Sequence, residues 1–122
     1  MFGMHLTLDL YDCEKKLLKK KKYIYKILYE LPDIISMKKI LNPIVKFYKG
    51  NLNTFDKGGI SGFTMIAESH ISIHTYPFQK YVSMDVFSCK SFDASVILRY
   101  MKKKLNYKRV EKNIIYRGLK FR

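Results

Sequence analysis

Residues 60–89 read I-S-G-F-T-M-I-A-E-S-H-I-S-I-H-T-Y-P-F-Q-K-Y-V-S-M-D-V-F-S-C. Three strand-like runs follow one another here, with too little chain between them for a helix: Ile60 to Glu68, His70 to Tyr76 and Tyr81 to Cys89. The last alternates Val82, Met84 and Val86 with Ser83 and Asp85, the period of a half-buried strand. Strands joined this closely pair antiparallel, because a parallel connection needs a crossover of a dozen residues or more. The stretch therefore decides the fold class.

Outward from it, the same two periodicities assign the rest. Met4, Leu6, Leu8 and Leu10 alternate with His5, Thr7 and Asp9, so Met4–Tyr11 reads as a strand. Asp12 is placed to cap the helix that follows. From Glu14 to Leu31, Leu17, Leu18, Ile24, Ile27, Leu28 and Leu31 recur at helical spacing, and Pro32 is expected to end that helix. The lysines at 19–22 read as its solvated face. Asp33–Lys39 fits one helical turn at most. Pro43–Lys49 reads as an edge strand, and 50–59 as a polar loop closed by Gly58 and Gly59. Phe92–Leu105 is a second helix, with Asp93 at its start and Lys102, Lys103 and Lys104 in its last turn, where cations suit the dipole. Tyr107–Tyr116 is a final strand, with Val110 and Ile114 or Ile115 as candidate core residues. The order β-α-β-β-β-β-α-β predicts an α+β two-layer sandwich, an antiparallel sheet with helices packed on one face.

Composition narrows the function. A chain of 122 residues suits a single domain and excludes an enzyme of two large lobes. Two cysteines, Cys13 and Cys89, make no disulfide framework and no zinc spacing, so no metal site is expected. No apolar run reaches membrane-spanning length, and the N-terminus lacks the pattern of a secretory signal. A cytoplasmic protein without a membrane partner is the expectation. The net charge of +14 admits a basic nucleic-acid-binding module using Lys19–Lys22, Lys102–Lys104, Lys108 and Arg109. No recognition motif accompanies those cations, so no nucleic-acid partner is expected.

The polar residues with chemical potential crowd into the deciding stretch: Ser61, Glu68, Ser69, His70, Ser72, His74, Thr75 and Cys89. A hydroxyl, an imidazole and a thiol brought together by strand pairing suggest a nucleophile site. Taken singly, each also fits a bland surface or core position.

The strings A-E-S-H-I-S-I-H-T-Y-P at 67–77, G-I-S-G at 59–62 and V-F-S-C at 86–89 resemble the prokaryotic S-adenosylmethionine decarboxylase proenzyme family. H-L-T-L-D-L-Y-D-C at 5–13 and Y-R-G at 116–118 extend the resemblance over nearly the whole chain. It implies a self-cleaving proenzyme cut between Glu68 and Ser69, giving 1–68 and 69–122. Ser69 becomes a covalent pyruvoyl group, which holds the substrate as a Schiff base. His74 matches the residue given proton transfer in processing, and Ser61 the hydroxyl that assists it. Cys89 matches the proton donor in decarboxylation. Glu68, Tyr76 and Phe55 are matched to substrate binding. The implied assembly is a homodimer with residues of both copies at each site, and the implied product is the aminopropyl donor for spermidine synthesis.

One position departs. The family motif continues with a glutamate after the proline, a ribose ligand, where this chain has Phe78. The departure leaves open a plain amino-acid substrate, ornithine or arginine, for the same pyruvoyl chemistry. Spacing adds a geometric constraint. Ser69 and His74 are five apart, so a straight strand points them to opposite faces. The chain must therefore bend at Ser69, or Ser69 must end one strand and sit in a strained turn.

Overall fold

In the computed structural model, which describes residues 1–51, 53–54 and 57–121, six strands form one antiparallel sheet in the order β2-β3-β4-β5-β1-β6. The strands are β1 (Gly3–Tyr11), β2 (Ile44–Tyr48), β3 (Gly59–Ile66), β4 (Ser69–Tyr76), β5 (Tyr81–Ser88) and β6 (Arg109–Arg117). Three helices, α1 (Lys15–Leu18), α2 (Lys21–Ile34) and α3 (Ala94–Leu105), complete the chain, with a single 3-10 turn at Pro77–Gln79. Period-two alternation sends Leu6, Leu8, Leu10, Ile71, Ile73, Val82 and Val86 to the helix side, where each is at most 1 % exposed. Ile24, Ile27, Leu28 and Leu31 of α2 meet them from above. The α+β two-layer sandwich is the observed architecture.

The other sheet face carries no helix. Register places His5, Thr7 and Asp9 of β1 beside Phe87, Asp85 and Ser83 of β5, and those beside His70, Ser72 and His74 of β4. This open face is where the chemistry-bearing side chains gather.

Several local expectations are corrected. The helix expected over Glu14–Leu31 is two, parted at Lys19 and Lys20, with Lys20 extended (φ −92°, ψ 101°). The break falls inside the lysine run, where four adjacent ammonium groups repel one another. Pro32 does not end α2, which runs on to Ile34 while Ile35 N–H still reaches the Leu31 carbonyl (3.2 Å). The helix gives up the proline's own donor, and the proline is buried. Asp12 caps nothing: it sits at φ 57° and accepts from Arg109 Nε at 2.8 Å. Val110 (40 % exposed) and Ile115 (53 %) are not core: β6 is an edge strand, and Ile115, paired with His5, faces the open side of the sheet; Ile114 is the one that packs inward. Asp93 does cap α3, accepting from Ser95 N–H at 2.9 Å.

The far end of β4 is held by Thr75. Its hydroxyl accepts from Ile60 N–H (3.0 Å) and donates to the Leu18 carbonyl (2.9 Å), linking β3, β4 and α1. Thr75→Val leaves a buried N–H unpaired and is expected to cost about 1–3 kcal/mol in urea unfolding. Gly59 faces the same strand so closely that an added Cβ would lie 1.9 Å from the Thr75 carbonyl oxygen. Gly59→Ala is expected to destabilise by about 3 kcal/mol or more. An unfolding midpoint equal to the parent's in either variant would contradict this packing.

Candidate active site

β3 and β4 are joined by the tightest possible hairpin. Ile66 and Ser69 are register partners, so only Ala67 and Glu68 form the loop. Glu68 stands at φ 63°, a left-handed conformation that costs a non-glycine residue roughly 1 kcal/mol. Ser69 is the first residue of β4, directly after this left-handed position; it neither ends a strand nor sits in the turn, and β4 runs unbroken from it to Tyr76. The turn is clamped from outside. Ala67 N–H donates to the Lys38 carbonyl (2.9 Å), and Ile40 N–H to that of Met65 (3.2 Å).

Ser69 is 8 % exposed, and its Oγ accepts from the Cys89 backbone N–H at 3.1 Å. That bond fixes the oxygen and leaves the hydroxyl proton free to be donated. The Cys89 thiol lies 3.5 Å from Glu68 Oε2. Ser69, Glu68 and the Cys89 thiol therefore share one end of the sheet. A recess of about 380 Å³ opens there, lined by Ser69, Glu68, His70, Phe63, Phe87 and Arg117 among others.

Ser61, His74 and Tyr76 gather at the other end of β3 and β4. Ser61 and His74 are register partners, and the Ser61 hydroxyl shares a 2.9 Å hydrogen bond with His74 Nδ1. With Tyr76 they line a separate cavity of about 260 Å³. Tyr76 is stacked on Tyr81 (5.4 Å between centroids, 27°). Five residues of strand put His74 about 16 Å along β4 from Ser69, and on the opposite face. The candidate residues thus form two separate groups in one chain. Phe55 lies outside the described residues.

Phe78, where the resemblance leads one to expect a carboxylate, is 54 % exposed, with Lys15 Nζ 4.6 Å and Lys19 Nζ 5.9 Å from its ring centre. Phe63, Phe87 and Arg117 were not singled out from the sequence. Strand parity would have placed Phe63, His70 and Phe87 side by side, but only once the register of three strands is known. The described residues hold no cluster of His, Cys, Asp or Glu arranged for a metal ion, and none of their helices is long and apolar enough to cross a membrane.

Residues 4–118 match the family described as S-adenosylmethionine decarboxylase. The S-adenosylmethionine decarboxylase proenzyme of Clostridium botulinum (strain Langeland) is 37% identical over 117 residues, covering 95% of this chain and 94% of its own. That of Clostridium tetani is 33% identical over 121 residues, covering 96% and 87%. The crystal structure of the adenosylmethionine decarboxylase from Aquifex aeolicus superposes with a TM-score of 0.75 at 28% identity, covering 97% of this chain and 92% of that one. Likeness of this extent, in sequence and in fold alike, settles kinship: the chain belongs to the S-adenosylmethionine decarboxylase family.

Proposed function

We propose that the chain is a pyruvoyl-dependent decarboxylase of S-adenosylmethionine that first cuts itself between Glu68 and Ser69. The observation that carries this reading is the Glu68–Ser69 turn, with its left-handed glutamate and its serine Oγ held by Cys89 N–H. Ser69 Oγ attacks the Glu68 carbonyl and the acyl group moves from nitrogen to oxygen. Relief of the Glu68 conformation favours the step. Loss of the Ser69 Cα proton then expels the Glu68 carboxylate, and water converts the remaining enamine to a carbonyl with release of ammonia. The fragments have 68 and 54 residues.

The residues present fit a pyruvoyl group at position 69, since Ser69 is at a strand start beside an open recess. Such a group supplies a carbonyl that holds the substrate amine and takes up the electron pair left when carbon dioxide departs. Cys89, whose backbone already touches the Ser69 side chain, is the proton donor on this reading. The product would serve spermidine synthesis in the cytoplasm.

The separation of the half-sites supports a homodimer. Ser61 and His74 cannot reach Ser69 of their own copy across about 16 Å of strand. A second copy laid antiparallel on the open sheet face would bring its His74 end over the Ser69 end of the first. Apolar side chains on that face, among them Phe63, Met65 and Ile115, are exposed in the single chain and would be covered.

Phe78 favours a second reading, decarboxylation of ornithine or arginine, because it cannot accept hydrogen bonds from a ribose. The names of the relatives run with the first. Carbon dioxide release from S-adenosylmethionine, ornithine and arginine by the purified protein separates the two. S-adenosylmethionine alone is expected to be consumed, and turnover of an amino acid in its place would overturn the proposal. Phe78→Glu is expected to lower KM for S-adenosylmethionine about tenfold, the worth of one charge-assisted hydrogen bond.

Co-expression tests the shared site. Chains carrying Ser69→Ala cannot cut, and chains carrying His74→Ala are expected not to cut alone. Together, the His74→Ala chain is expected to appear as two fragments, since its partner supplies the imidazole. A mixture that stays uncut would place His74 in its own chain's reaction, or outside the reaction altogether.

A further inference from the structure

We infer that His70 is a further catalytic residue, the base that takes the proton from the substrate's ammonium group, with Asp85 positioning it. The inference rests on the decarboxylase reading. An amine reaches the site at neutral pH as its ammonium ion, which has no free electron pair to attack a carbonyl. The ammonium proton must pass to a base, and a base fixed in the site takes it at the point of attack, while the nitrogen keeps the electron pair.

The recess beside Ser69 has three ionisable lining residues: Glu68, His70 and Arg117. Arginine cannot accept a proton. The Glu68 carboxylate is a weak base and already faces the Cys89 thiol. An imidazole is matched to the transfer near neutral pH.

The ring of His70 is held on three sides. It stacks on Phe63 (5.7 Å, 24°), leans on Phe87 (5.8 Å, 43°) and meets the edge of His5 (6.3 Å, 83°). Its Nε2 lies 3.7 Å from Asp85 Oδ2, too far for a hydrogen bond but close enough for charge to act. The same oxygen accepts from His5 Nε2 at 2.8 Å, and the Ser72 hydroxyl donates to the other. Burial of Asp85 opposes its charge, but the Ser72 and His5 hydrogen bonds and the nearby His70 outweigh it and hold the carboxyl below the usual range. A fixed anion thus awaits the imidazolium. The other charged or titratable groups facing His70 are His5 from β1, Arg117 from β6, whose guanidinium lies 4.8 Å over the Phe87 ring, and Glu68 in the hairpin. From β3 come Phe63 and Met65, which do not titrate.

The test uses self-cut protein, its carbonyl first verified by mass, with His70→Gln and Asp85→Asn as variants. Each is mixed in single turnover with S-adenosylmethionine, and separately with methoxyamine, a weak base already unprotonated at neutral pH. Oxime formation with methoxyamine is read as a mass increase. His70→Gln is expected to slow the substrate reaction about 100-fold at neutral pH. The loss should shrink as rising pH frees the amine without help, and the methoxyamine rate should be unchanged. Asp85→Asn is expected to show the same selective loss. Equal slowing with both nucleophiles would mean that His70 merely shapes the recess, and an undiminished substrate rate would also overturn the inference. If His70→Gln stays uncut, the Asp85→Asn comparison decides. Wild-type protein that never forms a carbonyl would instead sink the decarboxylase reading.

Discussion

Closure of the β3–β4 hairpin over two residues is the constraint on which the rest depends. Pairing Ile66 with Ser69 leaves Ala67 and Glu68 to reverse the chain, and Glu68 must take a left-handed conformation to do so. Strand pairing on both sides of β4, the clamp from Lys38 and Ile40, and the packed helix layer together hold it there. A cost of roughly 1 kcal/mol is small beside the cohesion of such a sheet, so the fold can keep a strained peptide link where an isolated hairpin would relax. The adjoining Cys89 N–H then holds the Ser69 hydroxyl oxygen beside that link.

The same hairpin explains why the two groups of candidate residues lie apart. Because β3 and β4 run antiparallel from a tight turn, Ser61 and His74 pair with each other at the far end of the strands. Nothing local can fold them back to Ser69. A sheet with one naked face is suited to a second sheet, and sheets stack about 10 Å apart, close enough for side chains on one to reach the other. On this view the bare face and the split constellation have one cause. The +14 charge belongs elsewhere. Lys19–Lys22 and Lys102–Lys104 lie in the helix layer, mostly solvated, away from the open face.

Much of this was legible in the residues. Alternation from Met4 to Leu10 and from Tyr81 to Ser88 is strict because one sheet face is apolar and the other polar, and such strands leave a clear period. The S-H-I-S-I-H-T string marked the kin. The break at Lys19 and Lys20 was not legible, since Leu17, Leu18 and Ile24 keep an apolar stripe across it. Val110 and Ile115 misled because an edge strand can be as apolar as a central one. The grouping of Phe63, His70 and Phe87 depends on register, which no single strand encodes. His74 was legible as a chemical residue, but its distance from Ser69 follows only from the pairing.

The central claim is that the strained Glu68–Ser69 link is where the chain breaks. Intact mass under denaturing conditions tests it most directly. Two fragments meeting at Glu68 and Ser69, the second blocked by a carbonyl in place of an amine, are the expected result. A single chain of 122 residues, unchanged after prolonged incubation, would contradict it.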